Sequence, residues 1–146
     1  MHIRVQEAAF DLGQEANAFA KTASGAGAIV TFTGLVRDEG GSLNAMQIEH
    51  YPAMTERAIS KIASEAMERW SLSDVLVIHR YGLLQAEETI MMVATAARHR
   101  VAAFEAAEYL MDYLKSRAPF WKKEIGTSGE AWVAAKEADE AALNRW

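Results

Sequence analysis

The stretch Met111-Asp-Tyr-Leu-Lys-Ser-Arg-Ala-Pro-Phe-Trp-Lys-Lys-Glu124 decides how the chain is read. It holds Pro119, one of only 2 prolines. A proline pushes the residue before it out of the α region, so a helix must stop just ahead of it. Upstream, residues 101–116 form the strongest helical pattern. Val101, Phe104, Ala107, Met111 and Leu114 make an apolar stripe, and Glu105, Glu108, Asp112 and Lys115 lie on or near the other face. Downstream, Phe120 to Glu124 reads as extended. Lys115 is thus expected in a last helical turn and Lys122 on a segment beyond the bend, a geometry that can aim two amines into one pocket. Arg117 and Lys123 add two more cations. Helix dipoles also favour cations at C-termini, and Phe120 and Trp121 also suit a core, so the stretch taken alone fits a purely structural role as well.

Working outward, Thr89 to Ala97 is a nearly continuous apolar run, expected as a central strand covered on both faces, with Arg98-His-Arg100 directly after it. Val75-Leu-Val-Ile-His-Arg-Tyr81 is another strand, ended by Gly82. Pro52 opens a helix, where its missing N–H costs nothing, and Ala58, Ile59, Ile62, Ala63, Ala66 and Trp70 form its buried stripe. Ala28-Ile-Val-Thr-Phe-Thr33 is a β-branched strand, and Leu43 to Tyr51 another. The glycine-bearing turn 38–42 between them predicts a hairpin. Residues 2–6 suggest a short strand and 11–22 a weaker helix. Glu130 to Ala134 suggests a last strand and Glu137 to Arg145 a short helix. Ser24-Gly-Ala-Gly-Ala28 precedes a strand instead of following one, the wrong order for a nucleotide-binding loop. Hairpin strands mixed with helices predict one α+β domain over residues 1–146, a mainly antiparallel sheet covered by helices.

Composition narrows the function. With 146 residues, 51% of them hydrophobic, the chain can build a real core. A net charge of −5 argues against general binding to nucleic acid or membrane surfaces, so a cationic site has to be a local cluster. There is no cysteine, which excludes disulfides, zinc thiolates and a cysteine nucleophile. The N-terminal segment lacks the apolar core of a signal peptide, and a cytoplasmic location is expected.

Arg37, Arg98, His99, Arg100, Lys115 and Lys122 all fall at element ends, where sites are usually built. Converged, they would suit a phosphate or another multiply charged anion. Scattered, they would merely balance surface acids. Clustered lysines lower one another's pKa, and a partly neutral lysine can act as base or nucleophile. The histidines His2, His50, His79 and His99 show no paired metal spacing; His50 and His79 read as structural, and His99 as an anion ligand.

The segments Gly27-Ala-Ile-Val-Thr-Phe-Thr-Gly-Leu-Val-Arg37, Glu49-His-Tyr-Pro-Ala-Met-Thr-Glu56, Val77-Ile-His-Arg-Tyr-Gly82, Arg98-His-Arg100 and Phe104 to Glu124 closely resemble the large, catalytic subunit of molybdopterin synthase. The resemblance runs from about Gly25 to the terminal Arg145-Trp146. It implies an α/β-hammerhead-like α+β fold with a small additional β subdomain. It implies insertion of two sulfur atoms into cyclic pyranopterin monophosphate, with no cofactor and no metal. The sulfur would come from the C-terminal Gly-Gly thiocarboxylate of a small ubiquitin-like subunit, within a heterotetramer built on a homodimer of large subunits. By position, Lys115 matches the family's essential lysine and Lys122 its second active-site lysine. Arg37, His99 and Arg100 match substrate-anion ligands, and Lys123 and Glu124 lie in the pocket-lining segment. Two positions depart from the pattern: Leu35 stands where some members carry lysine, and Lys136 where some carry arginine, so Lys136 can supply a cation, including from a neighbouring subunit. Two other readings compete: a non-catalytic module binding an anion or a ubiquitin-like tail, and a lysine Schiff-base enzyme acting on a phosphorylated carbonyl compound.

Overall fold

The computed structural model describes residues 1–38, 40–134 and 136–146. Glu39, inside the expected 38–42 turn, lies outside them. In chain order the elements are β1 (His2–Gln6), α1 (Leu12–Thr22), β2 (Ala28–Leu35), β3 (Leu43–His50), α2 (Pro52–Trp70), β4 (Asp74–Arg80) and β5 (Gly82–Gln85). They continue as β6 (Thr89–Ala97), α3 (Arg100–Arg117), β7 (Phe120–Gly126), β8 (Gly129–Trp132) and α4 (Glu137–Ala142), with a closing 3-10 turn at Leu143–Arg145.

Two sheets form. The larger runs β1-β4-β6-β2 and the smaller β5-β3-β7-β8. Among the described residues every pairing is antiparallel except β1 with β4. The α+β arrangement expected from sequence is therefore present, and the smaller sheet is its additional β layer. β6 is the covered central strand that its apolar run predicted, flanked by β4 and β2. Side chains alternate across it. Val75, Val77 and Val93 join α2 and α3 in the main core, while Leu76, Ile78, Met92 and Ala94 pack with Phe19 of α1 on the opposite face.

Two expectations need correction. β2 and β3 do not form a hairpin: β2 pairs with β6, and β3 sits in the other sheet between β5 and β7. After a register shift at Gly34/Leu35, Val36 exchanges backbone bonds with Glu87 and Glu88, so the chain is drawn along the β5–β6 turn before crossing sheets. Secondly, Val101 and Phe104 do not belong to the buried stripe of α3; they are 62% and 60% exposed. Its buried face is built from Ala103, Ala106, Ala107, Tyr109, Leu110 and Leu114. Three alanines let the helix lie close against its neighbours, and the larger apolar groups are left outside.

Candidate active site at the bend between α3 and β7

Pro119 ends α3 as its chemistry requires, with Ala118 already extended at φ −75° and ψ 130°. Lys115 lies exposed in the last turn. In β7, Phe120 pairs with His50 and Lys122 with Ile48, while Trp121 pairs with Glu49 and Lys123 with Gln47. Alternation therefore turns Phe120 and Lys122 inward, beside the fully buried Ile48, and Trp121 and Lys123 outward. Thr55 braces the bend, its hydroxyl 3.5 Å from the Pro119 carbonyl oxygen and 3.2 Å from His50 Nδ1.

Burial holds the Lys122 amine below the usual lysine range, and the charge of Lys115 lowers it further. Asp139 opposes the shift and Lys136 adds to it. Lys115, Lys122 and Lys136 thus act on one another as a cationic cluster with the Asp139 carboxylate among them. The segment carrying Lys136 and Asp139 is pinned to α3. Arg117 donates two bonds to Glu140, at 2.8 and 2.7 Å, and Arg145 pairs with Asp112 and Glu108. Trp146 Nε1 donates to Asp112 at 2.6 Å, and its ring meets Trp70 and Tyr109 edge-on.

The other expected site residues are distributed. Glu124 is exposed and follows Lys122 on the same side of β7. Lys123 faces away, 3.3 Å from Glu130 and over the Trp132 ring, so within one chain it is not directed at the lysine cluster. Arg37 follows β2 at the end of the larger sheet that also holds His79, since Met91 of β6 pairs with both Gly34 and His79. His99 and Arg100 sit exposed at the opposite end of α3 from Lys115. At 1.5 Å per residue that separates His99 from Lys115 by roughly 24 Å. One chain therefore gathers Lys115, Lys122 and Lys136 and leaves His99 and Arg100 elsewhere.

His79, which the sequence presents as structural, lies behind the cluster, close enough for the Lys122 charge to act on it. It is 5% exposed, and its ring stacks on Phe120 at 3.7 Å and 18°. Nδ1 donates to the Arg80 carbonyl at 2.7 Å. Burial and the Lys122 charge push its pKa down to about 3, so the ring is neutral. The available signal was a histidine in the inward-facing row Val75, Val77, His79, where an apolar side chain would serve a core better. Asp139 had no such signal, being one acid among several in the last helix.

A family model described as MoaE protein matches residues 5–117. The chain belongs to the MoaE family. A MoaE relative from Cereibacter sphaeroides, named molybdopterin synthase catalytic subunit, is 68% identical over 146 residues and covers 100% of both chains. The solved molybdopterin biosynthesis MoaE protein of Burkholderia ambifaria superimposes with a TM-score of 0.84 at 50% identity, covering 99% of this chain and 97% of that one. The solved molybdopterin synthase of Staphylococcus aureus gives a TM-score of 0.81 at 30% identity, covering 90% and 96%. Among the described residues, no helix is long and apolar enough to cross a membrane.

Proposed function

We propose that this chain is the catalytic subunit of a molybdopterin synthase, a sulfurtransferase that converts cyclic pyranopterin monophosphate to molybdopterin. Its sulfur donor is the C-terminal thiocarboxylate of a small ubiquitin-like subunit. The observation that carries the reading is the inward-facing Lys122, held below its ordinary pKa beside Lys115 and Lys136, in a MoaE chain. Each transfer replaces a carbon–oxygen bond of the substrate by a carbon–sulfur bond, the displaced oxygen leaving as water or staying on the phosphate, and breaks the acyl carbon–sulfur bond of the tail. Water supplies the oxygen that leaves the tail as a carboxylate. Lys115, exposed at the helix end, meets the incoming tail and exchanges protons or attacks its carbonyl. Lys122 stabilises the developing oxyanion when protonated, and its lowered pKa equips it to accept a proton as well.

His99 and Arg100 serve as substrate-anion ligands only if a second copy brings them to the lysine cluster, because α3 holds them about 24 Å from Lys115 in their own chain. The exposed Phe32 of edge strand β2, with Val101 and Phe104 of the adjoining α3, offers the apolar surface such a copy would cover. The homodimer then places the cations of one protomer beside the lysines of the other, and Arg37 completes the anion site. A small subunit on each protomer makes the heterotetramer.

Single-turnover conversion of the cyclic pterin with thiocarboxylated small subunit tests the reading. Wild type converts substrate, and Lys115→Ala loses at least roughly a thousandfold, the scale expected for removing a group that acts on the reacting atoms. Turnover by Lys115→Ala at the normal rate would remove that lysine from the chemistry. Co-expression of Lys115→Ala with Arg100→Ala tests the shared site. Mixed dimers hold one intact site, restoring about a quarter of wild-type activity when protomers mix at random. No recovery from two variants that are each inactive alone would place Lys115 and Arg100 in the same protomer's site and remove the sharing.

A further inference from the structure

Between the lysine cluster and the main core lies a set of rings that the reaction described above does not use. The Phe120 ring meets two imidazoles: His79 stacks on it at 3.7 Å and 18°, and His50 is tilted against it at 5.8 Å and 34°. His50 continues the set to Tyr81 at 4.4 Å. Phe120 opens β7, and Lys122 is the next residue on the same face. Just upstream stands the bend at Pro119, whose carbonyl oxygen lies 3.5 Å from the Thr55 hydroxyl. Whatever holds Phe120 therefore sets the direction in which Lys122 leaves the strand.

We propose that His79 is a positioning residue for Lys122: its imidazole, tied by Nδ1 to the Arg80 carbonyl and stacked on Phe120, fixes the start of β7 so that the Lys122 amine enters the cluster with Lys115 and Lys136. An imidazole suits this place better than an aliphatic group. The flat ring stacks face to face, and the Nδ1–H bond stops it rotating about χ2, which no valine or leucine could match. The ring is also uncharged in place, so it adds no positive charge behind an amine already facing Lys115 and Lys136. The charged and titratable groups around it are Lys122 from β7, His50 from the end of β3, Arg80 on its own strand and Tyr81 beyond it. This inference rests on the assignment of Lys122 to the reaction site.

The test compares His79→Ala, which removes the stack, with His79→Phe, which keeps a flat ring. Lys122 is followed by NMR of reductively 13C-methylated protein, with Lys122→Arg identifying its signal, and single turnover is measured in parallel. In His79→Ala the Lys122 titration moves up toward the ordinary lysine range, and the single-turnover rate falls roughly tenfold or more with KM little changed, as expected for a misplaced catalytic group. His79→Phe, which keeps the stack but lacks the Nδ1 tie, shows a smaller change than His79→Ala in both. If His79→Ala does not fold, Phe120→Leu removes the same stack from the other side and is read the same way. An unchanged Lys122 titration and rate in the stack-free variant overturns the proposal. So does a His79→Phe protein as impaired as His79→Ala, because the ring's shape would then not be what matters. A shifted Lys122 signal in a protein whose wild type makes no product leaves the positioning role standing and rejects the catalytic assignment instead.

Discussion

Replacing His79 by phenylalanine should change how the fold responds to acid. In the unfolded chain this histidine titrates near 6.5, and in the folded protein near 3, because burial and the Lys122 charge disfavour the imidazolium. Between those values the unfolded chain binds a proton that the folded one does not. The neutral ring's stability is thus fully present above about pH 6.5 and lost as pH falls toward 3. Each pH unit in that window removes about 1.4 kcal/mol, so wild type is weakened at pH 4 by about 3 kcal/mol through this residue alone. His79→Phe has no proton to bind, and carboxylates acting elsewhere cancel in the comparison. Urea unfolding followed by tryptophan fluorescence, at one protein concentration and at steps from pH 7.5 to pH 4, measures both proteins. The stability difference should tilt in favour of the variant as the pH drops, whatever its offset at pH 7.5. Parallel curves, with a difference constant to within about 0.5 kcal/mol, would refute a neutral buried imidazole at this position.

Three further outcomes follow from the geometry. Asp74→Asn should cost roughly 1–2 kcal/mol at pH 7, since the Asp74 carboxylate, only 8% exposed, accepts from the Met1 ammonium at 2.8 Å, from Val75 N–H and from His2. Burial raises its pKa, but these partners bring it below the ordinary value, so the cost persists above about pH 4 and fades as acid titrates the folded carboxylate; thermal melts at pH 7 and pH 3 check this. Gly27→Ala should lower stability by about 1–3 kcal/mol in denaturant titration, because a Cβ there collides with the Arg98 carbonyl oxygen, which belongs to backbone and cannot swing aside. If the proposed dimer closes over the surface that holds Phe104, Phe104→Glu should leave the monomer folded, since its ring is already exposed, while sedimentation shifts from dimer to monomer and turnover falls with it.

Much of this arrangement was legible in the chain itself. Pro119, Pro52 and the apolar run 89–97 each impose a local geometry that tertiary contacts have little freedom to alter, and each produced the expected element. The failures have a common physical origin. Glycines at 40 and 41 permit a turn without dictating which strand lies on its far side, and β2 found its partner more than fifty residues away in β6. In α3 the bulky Val101 and Phe104 carry more hydrophobicity than the alanines, but close packing selects the alanines for the interior. At the site, Lys115 and Lys122 could be placed together because only a bend separates them. The same helix fixes the distance between Lys115 and His99, so within one chain these cations do not share a pocket.

That length has an implication for the gene. If the two ends of α3 serve different reaction centres of a dimer, the interval from His99 to Lys115 works as a ruler. A substitution within it can be absorbed, but inserting or deleting a single residue turns one end by about 100° relative to the other and moves it by about 1.5 Å. Both centres would lose their alignment at once, since each protomer's helix reaches into both. What selection must preserve in this segment is then a count of residues as much as their identities, and homologues that carry out the reaction should vary in length in the loops and at the ends, not between these two positions.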